Sequence, residues 1–166
     1  MRRGAALKGV VKNEMFIGID PGVSGGIAVL QGDSVEVHKM PETEQFICTL
    51  LGQYKSGRVF IEQIPKYAGE ARFAERNIMG SSLAVLYGNY QLCLGICLGL
   101  GNVPFKLTPL KWQNLVGCRN YERRDRSAWK NVLKAHAQKL FPGIKVTLAV
   151  ADALLIAHAG RLLRAG

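Results

Sequence analysis

The sequence predicts an α/β fold: a mixed five-stranded sheet, made of an antiparallel meander and a βαβαβ half, flanked by helices. Three observations carry this expectation. Short apolar runs separated by tight-turn pairs fill the stretch from Met15 to Met40. Beyond it, helical spacing of apolar residues alternates with further short runs. A chain of 166 residues, 48% hydrophobic and with mean hydropathy +0.08, is long and apolar enough to bury one core.

Met15 to Asp20 (MFIGID) reads as a buried strand, Gly25 to Gln31 as a second and the alternating Ser34 to Met40 as a third. Pro21-Gly22 and Gly32-Asp33 supply the turns. Phe46, Ile47, Leu50 and Leu51 have the spacing of a helix capped by Thr43 and running to Tyr54. Arg58 to Ile64 is a fourth strand, ended by Pro65, and Val103 to Leu107 a fifth, stopped by Thr108-Pro109. A long uncharged helix lies between them, within Asn77 to Phe105. The remainder is a helical turn around Trp112, a basic helix from about Arg126 to Leu140 and a last helix from about Leu148 to Leu163. In this topology the first and fourth strands are neighbours, and the last helix packs over their edge.

Residues 1–14 form a short basic extension without the apolar core of a secretory signal, and Met15 is a second candidate start. Residues 15–166 hold no repeat or linker and are expected to form one domain. The uncharged window is long enough to suggest a membrane span. It contains five glycines, two tyrosines, Asn89 and Gln91, however, which fit a helix buried in a core or an interface. No membrane association is expected. Cys48, Cys93, Cys97 and Cys118 lack zinc or redox spacing and read as free thiols.

With 22 Lys and Arg against 12 Asp and Glu, the formal charge is +10 and the pI about 9.7. Nucleic acid is the leading partner for such a chain, ahead of an anionic membrane or a ribosomal role. Carboxylates are scarce, so those inside apolar segments carry information. Asp20 ends the first strand, Glu62 lies in the fourth, and Asp152 sits in the apolar last helix (LAVADALLIA). Buried unpaired carboxylates cost several kcal/mol each unless a cation neutralises them. An oxygen-seeking divalent metal suits three converging carboxylates. The alternative for each is an ordinary pair with Lys or Arg, or an element cap.

The segments Ile17-Gly18-Ile19-Asp20-Pro21-Gly22 with Ser24-Gly25-Gly26, Phe60-Ile61-Glu62-Gln63 and Ala151-Asp152-Ala153-Leu154-Leu155-Ile156-Ala157 resemble, in that order, the RuvC-type Holliday-junction resolvases of the RNase H-like superfamily. Thr108-Pro109-Leu110-Lys111-Trp112 and Lys139-Leu140-Phe141-Pro142 add to the resemblance, which spans about Phe16 to Ala157. Sugar kinases and actin-like ATPases open similarly but need two such domains. The resemblance implies an RNase H-like sheet and a homodimeric, intracellular endonuclease that nicks two opposed strands of a four-way DNA junction. Its place would be the cytoplasm, the nucleoid or an organelle. It makes Asp20, Glu62 and Asp152 catalytic metal ligands for two Mg2+ ions, with Mn2+ as a substitute. The family usually carries a fourth ligand, Asp or His, shortly before the last Asp. Here Val146 to Ala151 has neither, and His158 lies about 240° round the helix from Asp152.

Two segments are candidates for DNA contact. From Lys106 to Lys139 there are nine Lys and Arg against two acids, with Lys111, Arg119, Arg123, Arg124 and Arg126 as the phosphate-gripping candidates. Lys66, Tyr67, Arg72 and Phe73 follow the strand that bears Glu62, where the resemblance faces them to the junction centre. Trp112 reads as core, and Lys130 and Lys134 as the wet face of their helix. Gly88, Gly95 and Gly99 mark the expected dimer helix. A junction-binding protein with little or no cleavage, and a nuclease acting on flaps, forks or structured RNA, stand as alternatives.

Overall fold

The structure, a computed structural model, describes residues 14–64, 80–120 and 124–165. Five strands form one sheet: β1 (Met15–Asp20), β2 (Gly26–Gln31), β3 (Ser34–Lys39), β4 (Arg58–Glu62) and β5 (Phe105–Leu107). The helices among the described residues are α1 (Glu44–Gln53), α2 (Gly80–Gly99), α3 (Pro109–Leu115), α4 (Arg126–Leu140) and α5 (Leu148–Ala165).

The sheet order is β3-β2-β1-β4-β5, antiparallel across β3, β2 and β1 and parallel across β1, β4 and β5. This is the expected mixed sheet. The fourth strand stops at Glu62 and the fifth starts at Phe105, shorter than the apolar runs suggest, although Gln63 N–H still donates to the Leu107 carbonyl at 2.8 Å. Thr43 caps α1 as expected, its hydroxyl accepting from Phe46 N–H.

Strand alternation divides the core. Ile17 and Ile19 of β1, Val59 and Ile61 of β4, and Ile27 and Val29 of β2 face α1 and α2, where Ile47, Leu51, Cys93 and Cys97 complete one cluster. Phe16, Phe60, Ala28 and Leu30 face the other way and pack with Trp112, Leu133, Ala137 and the inner side of α5. Cys93, Cys97 and Cys118 are buried free thiols, as read from their spacing, whereas Cys48 is exposed.

The last helix does not pack over a sheet edge. It crosses the central strands β1 and β2 and reaches β4. Glycine permits the approach. A Cβ on Gly18 would fall on the Ala153 carbonyl and the Ala157 nitrogen, one on Gly26 would come within 2.8 Å of the Ala149 carbonyl, and one on Gly160 would strike the Phe60 ring. Glu14, assigned by sequence to the basic extension, anchors the start of β1 by accepting from Arg58 Nε at 3.2 Å and Arg164 Nε at 3.3 Å. The rest of that extension lies outside the described residues.

Gly18→Ala is expected to cost about 3 kcal/mol of stability, because backbone rather than a flexible side chain must move. Urea unfolding checks this. Gly52→Ala, where the nearest atom to the new Cβ is Leu100 Cδ2 at 3.9 Å, should be tolerated.

Candidate metal centre

Side-chain alternation puts two of the carboxylates on one face. Asp20 follows Phe16 and Gly18 on the α5 side of β1, and Glu62 follows Phe60 on the same side of β4. The parallel register pairs Ile19 with Ile61, so Asp20 and Glu62 end adjacent strands side by side. Asp152, in the second turn of α5, is brought to them by the close approach over Gly18 and Gly26, and is 9% exposed. The three acids read from the sequence are therefore neighbours.

Each is held by its own donor. Gly22 N–H donates to Asp20 Oδ1 at 3.1 Å, the Trp112 indole Nε1–H donates to Glu62 Oε2 at 2.8 Å, and Lys130 Nζ lies 3.9 Å from Asp152 Oδ2. Gly25 guards the first of these, since a Cβ there would stand 2.7 Å from Asp20 Cγ. Asn89 Nδ2 donates to the Pro21 carbonyl at 2.6 Å, tying the loop after Asp20 to α2.

Burial pushes all three carboxyls up. It is the main cause for Glu62, raised to about 8, with Asp20 and then Asp152 adding repulsion against the pull of Trp112 and Lys130. Asp152 is raised to about 6 by burial and by Asp20, against Lys130 and Arg126. Asp20 is raised by burial, against the Gly22 hydrogen bond, Lys130 and Arg126.

Among the described residues no three His, Cys, Asp or Glu side chains are gathered tightly enough to grip one ion as they stand. In donor type and charge the set nevertheless fits a divalent metal: three oxygen-bearing, desolvated and mutually repelling carboxylates need positive charge in their midst.

Of the candidate DNA contacts, Arg126 is the one whose charge reaches Asp20 and Asp152. Lys111, next to Trp112, and Arg119 and Arg124 are exposed on nearby segments. Asn120 braces that loop, accepting from Arg124 N–H at 2.9 Å and donating to the Arg124 carbonyl at 3.1 Å. Lys66, Tyr67, Arg72, Phe73 and Arg123 lie outside the described residues.

One member of the centre adds to its sequence reading and another departs from it. Trp112 is core, 1% exposed, yet its one polar atom serves Glu62. Lys130 does not line a wet face, for its side chain is 30% exposed and pairs with Asp152. Its spacing held the signal, since Lys130, Leu133 and Ala137 share one side of α4, and the latter two are buried. His158 turns away as expected, its ring edge-on to Phe141 with centroids 5.7 Å apart.

Comparison with solved structures gives several matches, among them two that cover nearly the whole chain. One is RuvC of T. thermophilus in complex with a Holliday junction substrate: 15% identity, TM-score 0.61, covering 93% of this chain and 97% of that one. The chain has the fold of RuvC. The other, a second structure of Thermus thermophilus RuvC, matches at 15% identity and TM-score 0.58, covering 91% of this chain and 95% of that one. No protein-family model matches the chain, and no curated protein matches it in sequence. At this identity the likeness shows the fold alone. Among the described residues, no helix is long and apolar enough to cross a membrane.

The raised carboxyls give the metal-free protein a definite pH response. Between about 4.5 and about 8 folded Glu62 keeps a proton that the unfolded chain has released, so stability falls as pH rises through this window. Asp152 adds to the fall between 3.8 and about 6. Urea midpoints measured in chelator should decline from acid towards about pH 8, and Glu62→Gln should flatten the decline. A midpoint that rises with pH would contradict the assignment.

Proposed function

We propose that the chain is a metal-dependent, structure-selective endonuclease that resolves four-way DNA junctions in recombination and repair inside the cell, with residues 15–166 acting as one domain. The observation that carries the proposal is the convergence of Asp20, Glu62 and Asp152 on a RuvC fold in a chain of charge +10. The T. thermophilus RuvC of the same fold was solved on a Holliday junction.

In this reading Asp20, Glu62 and Asp152 hold Mg2+, or Mn2+ in its place. The bound cation supplies positive charge to the phosphodiester and favours attack by water. The chain's own groups set the stage. Gly22 N–H and the Trp112 indole fix the carboxylates of Asp20 and Glu62, and Lys130 and Arg126 draw the phosphate to an otherwise acidic spot. A water oxygen bonds to phosphorus and gives up a proton as the bond from phosphorus to the 3′ oxygen breaks, and the 3′ oxygen takes a proton in turn. The products are 5′-phosphate and 3′-hydroxyl ends. Lys111, Arg119, Arg123, Arg124 and Arg126 grip flanking phosphates, and Lys66, Tyr67, Arg72 and Phe73 meet the junction centre.

A second reading, a junction-binding protein that does not cut, is favoured by one observation: Val146 to Ala151 offers no acid or imidazole beside Asp152. Incubating the full chain with labelled four-way junction, linear duplex, fork and RNA–DNA hybrid, with and without Mg2+ or Mn2+, separates the readings. Metal-dependent paired nicks confined to the junction are expected. Asp20→Asn, Glu62→Gln and Asp152→Asn should each abolish cleavage while keeping or tightening junction binding, since each removes a ligand and a negative charge near phosphate. Cleavage at the normal rate by Asp20→Asn would defeat the nuclease reading.

Two opposed nicks call for two copies, and α2 has the surface for it. Tyr90, Cys93, Leu94 and Cys97 are buried against the sheet, whereas Val85 and Leu98 are more than half exposed. Gly88, Gly95 and Gly99 open on free space, where a partner helix can approach closely. Light scattering should give twice the 18.2 kDa of one chain, and Gly95→Leu should return the value to one chain's mass.

A further inference from the structure

Phosphodiester cleavage by paired divalent ions needs ligands for both. The carboxylate centre has a different inventory. Among the described residues its acids are Asp20, Glu62 and Asp152; the turn before Asp152 supplies none, and His158 faces Phe141. What the centre has in addition is an ammonium. Lys130 Nζ lies 3.9 Å from Asp152 Oδ2 on the buried side of α4, fixed there by the packing of Leu133 and Ala137.

We infer that the site takes one divalent cation and that the Lys130 ammonium stands where a second would. The inference deepens the nuclease reading and rests on it. Charge supports it. Three carboxylates and one phosphodiester carry four negative charges. One divalent cation with Lys130 and Arg126 matches them, whereas two divalent cations beside the same lysine and arginine leave an excess of two positive charges. Lys130 acts on the whole centre and not on Asp152 alone, since its charge opposes the upward shift of Asp20, Glu62 and Asp152 alike. An ammonium also offers three N–H donors to phosphate oxygens, which a carboxylate partner at 3.9 Å does not use up.

The test counts ions and does not depend on turnover alone. Mn2+ is titrated into the full chain with an excess of four-way junction and followed by electron paramagnetic resonance, with the junction-only titration subtracted. One Mn2+ per chain is expected for the unmodified protein and for Lys130→Met. Lys130→Met should lower the single-turnover rate at saturating junction by about 100-fold or more, with a much smaller loss of junction affinity. Lys130→Arg should recover part of the rate, and Lys134→Met, on the same helix, should leave it unchanged. Lys130→Asp should bind a second Mn2+. Two ions of similar affinity in the unmodified chain, or a normal rate in Lys130→Met, would overturn the inference. If one Mn2+ binds but no DNA is cut, the nuclease reading fails by itself. The Lys130→Asp count then decides: a second ion supports the inference, and its absence overturns it.

Discussion

The approach of α5 to the sheet is the constraint on which the rest depends. Helix backbone lies directly over Gly18 and Gly26, closer than any side chain on β1 or β2 would allow. That contact sets the height of Asp152 above the strand ends and so its separation from Asp20. It also fixes which face of the sheet is chemically useful. On the central strands β1 and β4 the α1 and α2 face is filled by Ile17, Ile19, Val59 and Ile61, and its carboxylate, Glu36, lies out on β3. The other face is apolar until its last row, where Asp20 and Glu62 appear. Packing and chemistry are therefore consecutive rows of the same alternation.

The centre is an electrostatically unfavourable object in a chain with abundant positive charge. Desolvation raises all three carboxyls, and they repel one another. The nearest cations, Lys130 and Arg126, come from one helix and only partly offset the cost. A protein with an excess of ten positive charges could have placed more arginines here. In the proposed reading, these under-compensated acids are what a mobile cation, and the phosphate arriving with it, would meet.

Much of this was legible in the sequence because the relevant signals are local. Met15 to Asp20 shows its apolar run and its terminal acid in six residues, and Thr43 marks a helix start by the side chain that caps it. The mixed sheet follows from turn pairs and alternation. What the sequence did not reveal depends on contacts between distant segments. Ile64 belongs to an apolar run yet lies beyond the strand, since β5 is too short to pair with it. The last helix was placed at an edge because nothing local says that Gly18, Gly26 and Gly160 are spaces for a helix. Lys130 was read as solvated because a basic helix is usually so, although the burial of Leu133 and Ala137 turns it inward.

Trp112 joins two roles that are usually separate. Its ring is among the largest fully buried side chains, so it contributes to the hydrophobic core, while its nitrogen is bonded to Glu62. Another large apolar residue could fill the volume and leave the carboxylate without its donor. The same coupling makes the protein its own spectrometer. An indole in a dry setting emits according to the field around it, and here a carboxyl that ionises at about pH 8 lies at 2.8 Å. With the second tryptophan, Trp129, replaced, any event that changes the charge of Glu62 or turns it away is written into the colour of that emission, without a label and without a substrate.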